Sequence, residues 1–219
     1  MNAPSVAPKY PWRLKEWFPS LTEATHSKLY DFSKELFNYT QTINLISMKT
    51  IPFMDAIHFA DAILATQHMW KDRQPKEVYD LGSGNGFPGI VMAILHPETQ
   101  VHLIEADQRK SDFLKNTAEK LGLLNVHVQR QTVEKMPPHS VDVVIARGFA
   151  SIGKSILVTR KLVRKGGVFY HLKGEEWARE ITQIPIQLCS IWQPSLVADY
   201  KLPIGEVKFS LVKTDKIAD

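Results

Sequence analysis

From Glu77 onward, short apolar runs alternate with stretches of helical periodicity. The runs at 77–81, 101–105, 125–130, 141–146 and 167–172 have strand length, while 88–96, 109–122 and 151–165 repeat their apolar positions at helical spacing. Such alternation predicts βαβ units and a parallel sheet. Gly166-Gly167 stands where a C-cap would close the last of these helices. Two further strand-like segments, 187–192 and 206–212, have no convincing helix between them and predict an antiparallel hairpin at one edge, for seven strands in all. Before residue 77 the pattern is helical. Thr22 or Thr25 is positioned to cap a helix in which Leu29, Phe32, Leu36, Phe37 and Ile43 recur on one side, and a second helix fits 51–70 before Pro75 ends it. The expected organisation is an N-terminal helical extension over 1–75 and an α/β domain over 76–219.

The strand at 77–81 runs into Gly82-Ser83-Gly84-Asn85-Gly86-Phe87-Pro88-Gly89 and then opens a helix. Glycines let the backbone turn tightly and approach a ligand, and a helix N-terminus presents free N–H donors. Glu105 follows Gly82 by 23 residues, at the tip of the next strand, where a carboxylate can accept the hydroxyl hydrogens of a ribose. Together they predict a nucleoside-cofactor site. The span 84–89 formally matches the dinucleotide fingerprint G-x-G-x-x-G. Counted from the strand, the better pattern is Asp-x-Gly-x-Gly-x-Gly over 80–86, which resembles the cofactor loop of S-adenosylmethionine-dependent methyltransferases. The Asp80 carboxylate suits a cofactor with a positively charged methionyl end, whereas a pyrophosphate is itself anionic.

Composition narrows the class further. The chain has 219 residues, 44% of them hydrophobic and 23% charged, which excludes a disordered or collagen-like chain. A single cysteine, Cys189, rules out an intrachain disulfide or a cysteine zinc cluster and is expected to be a small buried hydrophobe. The eight histidines include no pair at the spacing that puts two metal ligands on one helix face, so no metal is expected. The N-terminus has no secretion-signal core and no apolar run approaches membrane-span length. A formal charge of +4 becomes informative only when located: between residues 154 and 173 there are six basic residues and no acidic one. On a helix over 151–165, Lys154, Lys161 and Lys165 form one stripe with Arg160 and Arg164 beside it. This stripe is an expected RNA contact, although cations also collect at helix C-termini for dipole reasons.

The run Asp80-Leu81-Gly82-Ser83-Gly84-Asn85-Gly86-Phe87-Pro88-Gly89-Ile90 resembles the signature of the bacterial small-subunit ribosomal RNA guanine-N7 methyltransferases, the glucose-inhibited division protein B family. Asn44-Leu45-Ile46-Ser47 is similar to that family's Asn-Leu-Thr-Ser, and His58 and Asp61 match its His-x-x-Asp pattern. Arg109-Lys110-Ser111-Asp112-Phe113-Leu114, Val133-Glu134, Ala146-Arg147-Gly148-Phe149-Ala150-Ser151 and Leu172-Lys173-Gly174 continue the likeness. The chain departs from the family at Ile57 and Thr132, where arginine is usual, and at Glu105, where aspartate is usual.

The resemblance implies a Rossmann-like class I methyltransferase with S-adenosylmethionine as cofactor and a guanine N7 of 16S rRNA as acceptor. Asp80, Gly82, Gly84, Gly86, Phe87, Glu105, Val133, Glu134 and Arg147 are the implied cofactor residues. Arg147 and Lys173 are the implied positioning groups at the chemistry. The expected partner is small-subunit rRNA or an assembling 30S subunit, met by a cytoplasmic monomer. Guanine N7 is a neutral lone pair with no proton to remove, so no general base is needed. Marks of other methyl transfers are missing: there is no Asn/Asp-Pro-Pro-aromatic run after the fourth strand and no cysteine nucleophile there. A small-molecule or protein methyltransferase, or a non-catalytic RNA-binding assembly factor, remains open at this stage.

Overall fold

A computed structural model describes residues 10–219. Seven strands form one sheet: β1 (Glu77–Leu81), β2 (Gln100–Ile104), β3 (Val126–Gln129), β4 (Val141–Arg147), β5 (Val163–Lys173), β6 (Trp192–Lys201) and β7 (Lys208–Lys216). Their spatial order is β3-β2-β1-β4-β5-β7-β6. The first five run parallel and β7 is antiparallel to both β5 and β6, so the edge hairpin forms as expected. The strand order reverses between β1 and β4, and the crevice beyond the strand tips at such a switch point is where open α/β sheets hold ligands.

Alternate residues of the central strands feed two apolar layers. Val78, Val143, Ile145, Tyr170 and Leu172 pack with Ala65 and Met69 of α3 (Asp61–Asp72), while Leu81, Val144, Ala146 and Phe169 pack with Ile156 of α6 (Ile152–Thr159). The N-terminal helices share a core with the sheet's own helices. Leu29, Phe32 and Leu36 of α2 (Glu23–Thr40), which follows the single turn α1 (Leu14–Trp17), lie in one cluster with Phe59, with Ile90 of α4 (Gly89–Leu95) and with Phe113 of α5 (Gln108–Lys120). Thr22 caps α2, its side chain accepting from the Thr25 amide.

Five sequence expectations change. The helix expected over 51–70 is a 3₁₀ segment Met48–Phe53 containing Pro52, then a π turn Asp55–Ala60, then α3. Buried Asp55 anchors this irregular stretch by accepting from the backbone N–H and the guanidinium of Arg13. The helix expected over 151–165 ends at Thr159, because residues 161–163 pair with the start of β4: Lys161 and Leu162 carbonyls accept from His139 and Ser140, and Val163 is in register with Val141. The buried ammonium of Lys216 holds the carbonyls of Arg160 and Val163 at 2.7 and 2.8 Å. Gly166-Gly167 therefore lies within β5, with Gly166 at φ +82° beside the register shift between Val141 and Val143, and is not a helix cap. The segment expected as a strand over 187–192 is helical at its start, α8 (Ile186–Cys189) after α7 (Trp177–Thr182), and β6 begins only at Trp192. Cys189, expected to be buried, is exposed at the end of that short helix. Among the described residues, no helix is long and apolar enough to cross a membrane, and no group of three or more His, Cys, Asp or Glu side chains is placed to hold a metal.

His171, on β5, is buried, stacks on Phe169 and meets Thr214 at 3.1 Å; burial, aided by the Lys173 charge, pushes it down from 6.5 to about 3. The unfolded chain protonates this histidine near pH 6.5 and the folded one does not, so stability falls as pH drops below 6.5 by about 1.4 kcal/mol per pH unit for one such group. His58 acts in the same direction, and Asp80, raised to about 7, opposes between its unfolded value and pH 7. Replacing His171 by Gln is expected to flatten the acid limb of urea-unfolding stability between pH 6.5 and 4 relative to wild type; parallel curves would refute this.

Candidate active site

The loop from Gly82 to Gly86 is held by the end of β2 and the acid that follows it. Gly82 and Ser83 amides donate to the Ile104 carbonyl at the end of β2, and the Gly84 amide donates to Glu105 Oε2 at 2.8 Å. The other Glu105 oxygen accepts from the Asp107 amide at 2.8 Å. One carboxylate thereby joins the loops after β1 and β2, and each oxygen retains a lone pair for a further donor.

Asp80 is fully buried beneath the loop, where Oδ2 accepts from the Gly89 amide at 2.9 Å at the start of α4. Burial pushes its pKa up to about 7, against the opposing pull of the Gly89 N–H and Arg147. Asp80 has no exposed surface and shapes the loop from below. Gly89 is required here, since a Cβ would lie 2.3 Å from Leu103 and 2.6 Å from Asp80 Oδ2.

Gly82 has φ +69°, and a Cβ on it would lie 2.9 Å from the Phe149 ring. The segment after β4 thus covers the first glycine of the loop. Phe87, after the third glycine, is buried and stacks with His58 at 5.4 Å between ring centroids, and the Arg147 guanidinium stands 5.5 Å above the same Phe87 ring.

Arg147 ends β4 and is clamped by the N-terminal segment. Its Nη1 donates to Asp61 Oδ2 at 2.8 Å and to the Ile57 carbonyl at 3.2 Å, and its Nη2 faces His58 Nδ1. Asp61 accepts on its other oxygen from the Tyr200 hydroxyl at 2.7 Å. Burial raises the Asp61 pKa in spite of Arg147, and burial with the Arg147 charge drives His58 down to about 3. A guanidinium only donates, so His58 Nδ1 accepts and the ring proton lies on Nε2. His58 sits in the π turn, a distortion that recurs at functional positions.

Beside this clamp a cavity of about 500 Å³ is lined by Ile57, Asp61, Arg147, Gly148, Leu172, Lys173, Gly174 and Phe209. Lys173 ends β5 there, its ammonium bonded to the Ala150 carbonyl at 2.7 Å and to Glu180 at 2.8 Å. Glu180 also accepts from the Ile152 amide at 2.7 Å, which ties α7 to the start of α6.

The structure thus brings Gly82, Gly84, Gly86, Phe87, Glu105, Arg147 and Lys173 to one end of the sheet. Val133 packs in one cluster with Leu81 and Ile104, the last residues of β1 and β2, and Glu134 beside it is exposed; both also border a cavity of about 420 Å³ with Leu157, Arg160 and Lys161. The basic stripe does not form. Lys154 is on α6, but Arg160, Lys161, Arg164 and Lys165 follow the helix at the N-terminal end of β5, away from the site, and Arg164 is paired with Asp142 at 2.7 Å. Phe149 stood in a family motif without a role, and Tyr200, Glu180 and Phe209 carry no signal in the sequence as site residues. Tyr200 lies 139 residues from Asp61, and no local pattern links the two.

A glycine loop at the switch point, with an acidic side chain at the neighbouring strand tip and a backbone open to close approach at Gly84, fits a nucleoside cofactor. The fold is that of S-adenosylmethionine-dependent methyltransferases, and the chain superimposes on a SAM-dependent methyltransferase from Aquifex aeolicus with TM-score 0.51 at 14% identity, covering 68% of this chain and 88% of that one. The family model described as rRNA small subunit methyltransferase G matches residues 25–196, and the chain belongs to this family. It is 53% identical over 218 residues, 99% of each chain, to ribosomal RNA small subunit methyltransferase G 3 of Bdellovibrio bacteriovorus. It is 31% identical over 179 residues to ribosomal RNA small subunit methyltransferase G of Bordetella avium, covering 80% of this chain and 78% of the relative.

Two outcomes test the geometry. Arg147→Met strands the buried Asp61 carboxylate and should cost about 3–5 kcal/mol in urea unfolding; adding Asp61→Asn should recover much of that loss, and simple additivity would contradict the clamp. Gly82→Val should push against Phe149 and weaken binding of S-adenosylhomocysteine by calorimetry about tenfold or more, which is about 1.4 kcal/mol.

Proposed function

We propose that this protein transfers a methyl group from S-adenosylmethionine to the N7 of a guanine in small-subunit ribosomal RNA, in the cytoplasm. The observations that carry the reading are the glycine loop after β1 and a cavity at the tips of the neighbouring strands β4 and β5, in a chain of this family. The cofactor supplies an activated methyl on a cationic sulfur; the N7 lone pair forms the new carbon–nitrogen bond as the carbon–sulfur bond breaks.

The protein's part is positioning, which an in-line displacement chiefly requires. Gly84, with no close neighbour at its Cβ position, lets the backbone approach the cofactor, Gly82 and Gly86 make room for Phe149 and Phe32, Glu105 offers lone pairs to a ribose, and Arg147, over the Phe87 ring, lines the cavity. No side chain has to remove a proton. Asp61, the buried carboxylate nearest the cavity, is already engaged by Arg147 and Tyr200 and serves to hold Arg147. The reading extends to a substrate that is small-subunit rRNA, free or in an assembling subunit, and to a monomeric enzyme.

N7-methylguanine in small-subunit RNA, mapped in cells with and without the protein, should differ at one nucleotide. Identical maps, together with transfer to small molecules or proteins by the purified enzyme, would favour the broader methyltransferase reading. Loss of cofactor binding with retained RNA binding would favour an assembly factor.

A further inference from the structure

The cavity beyond Arg147 carries a donor whose hydrogen bonds are not all spent. Lys173 is mostly buried, its side chain 13% exposed, yet it borders the cavity. Its ammonium has three N–H bonds. One donates to the Ala150 carbonyl and the charge pairs with Glu180 at 2.8 Å, so even with one N–H spent on that pair one is left. Glu180 and the Ala150 carbonyl fix the position of the nitrogen, so the third N–H is a donor on a rigid mount at the tip of β5.

The two purines differ on the edge that carries N7. Guanine presents two acceptors there, N7 and O6, whereas adenine presents N7 and an amino donor. A fixed donor beside N7 bonds guanine and meets adenine donor to donor, and a site built around one hydrogen bond rejects the analogue that cannot make it. Phe209 and Leu172 add apolar surface for the face of a base in the same cavity. Each nearby cation has its own carboxylate: Arg147 pairs with Asp61 and Lys173 with Glu180. The positive charge that N7 acquires on methylation is thus not set against a net cationic cavity.

We infer that Lys173 donates its third N–H to guanine O6 and selects guanine over adenine at the methylated position. This deepens the guanine-N7 reading and rests on it. Arg147 is less suited to the same task, because three of its N–H groups are committed to Asp61, Ile57 and His58.

The test uses the full-length enzyme and a small-subunit RNA substrate whose target purine is guanosine, inosine or 2-aminopurine. Inosine keeps O6 and lacks the 2-amino group; 2-aminopurine does the reverse, and both keep N7. Wild-type kcat/KM should be similar for guanosine and inosine and lower for 2-aminopurine by about 10- to 100-fold, the range for one hydrogen bond to a charged group. Lys173→Met should lower transfer to guanosine and inosine by that factor and change 2-aminopurine little, so that discrimination collapses while S-adenosylhomocysteine affinity is retained. If Lys173→Met fails to fold, the double variant with Glu180→Gln removes the stranded carboxylate. Wild-type enzyme that accepts 2-aminopurine as readily as inosine, or variants that lose all three substrates in equal proportion, would overturn the assignment. Absence of transfer from wild type to any of the three RNAs would instead overturn the guanine-N7 reading, and the assignment with it.

Discussion

The buried ion pair between Arg147 and Asp61 is the contact on which the site depends. It joins the tip of β4 to the first turn of α3, and through Tyr200 it reaches the edge strand β6. Two charges removed from water repay their desolvation only when geometry and additional hydrogen bonds are good. Here the guanidinium also bonds the Ile57 carbonyl and His58, and the carboxylate also bonds Tyr200. Removing any partner leaves another unsatisfied, so the helical segment is held against the strand tips at the switch point.

That clamp explains why the N-terminal helices share their core with the sheet. Phe32 and Phe59 meet Phe87 at 5.0 and 4.8 Å between centroids, and Phe87 in turn carries His58 and Arg147. The Asn85 side chain reaches the Leu45 carbonyl at 3.3 Å, which fastens the glycine loop to the same segment. The loop is thus braced from below by Asp80, from the side by Glu105 and from the N-terminal segment by Asn85. Preorganisation of this kind suits a reaction in which the protein aligns two partners and moves no proton.

Charge distribution acquires a different meaning in three dimensions. As a linear run, the basic residues of 154–173 suggest an RNA-facing stripe. Folded, they divide: Lys173 sits at the cavity, Lys154 on α6, and the remainder at the N-terminal end of β5. Proximity in sequence implied a common face only while a single helix was assumed, and pairing of 161–163 with β4 removed that helix. The same long-range competition turned Gly166-Gly167 into part of a strand.

The strand and helix alternation after Glu77, the glycine loop and the acid at the next strand tip were legible because each depends on local periodicity or on residues a few positions apart. So was the family likeness, which rests on short motifs such as Asp80-Leu81-Gly82 and Arg147-Gly148-Phe149. His58 and Asp61 were visible as a pattern without a partner. Their partner, Arg147, stands 86 residues from Asp61, and Tyr200 stands 139 residues from it on the other side. Likewise the burial of Asp80 against the Gly89 amide has no local sequence signal, and Cys189, expected to be buried, rests on an exposed turn. The sequence by itself determined which elements form and where a nucleoside can approach the backbone. Only the tertiary structure decided which charges are spent on one another and which remain free to meet a substrate, because burial and pairing are properties of neighbours brought together from distant parts of the chain.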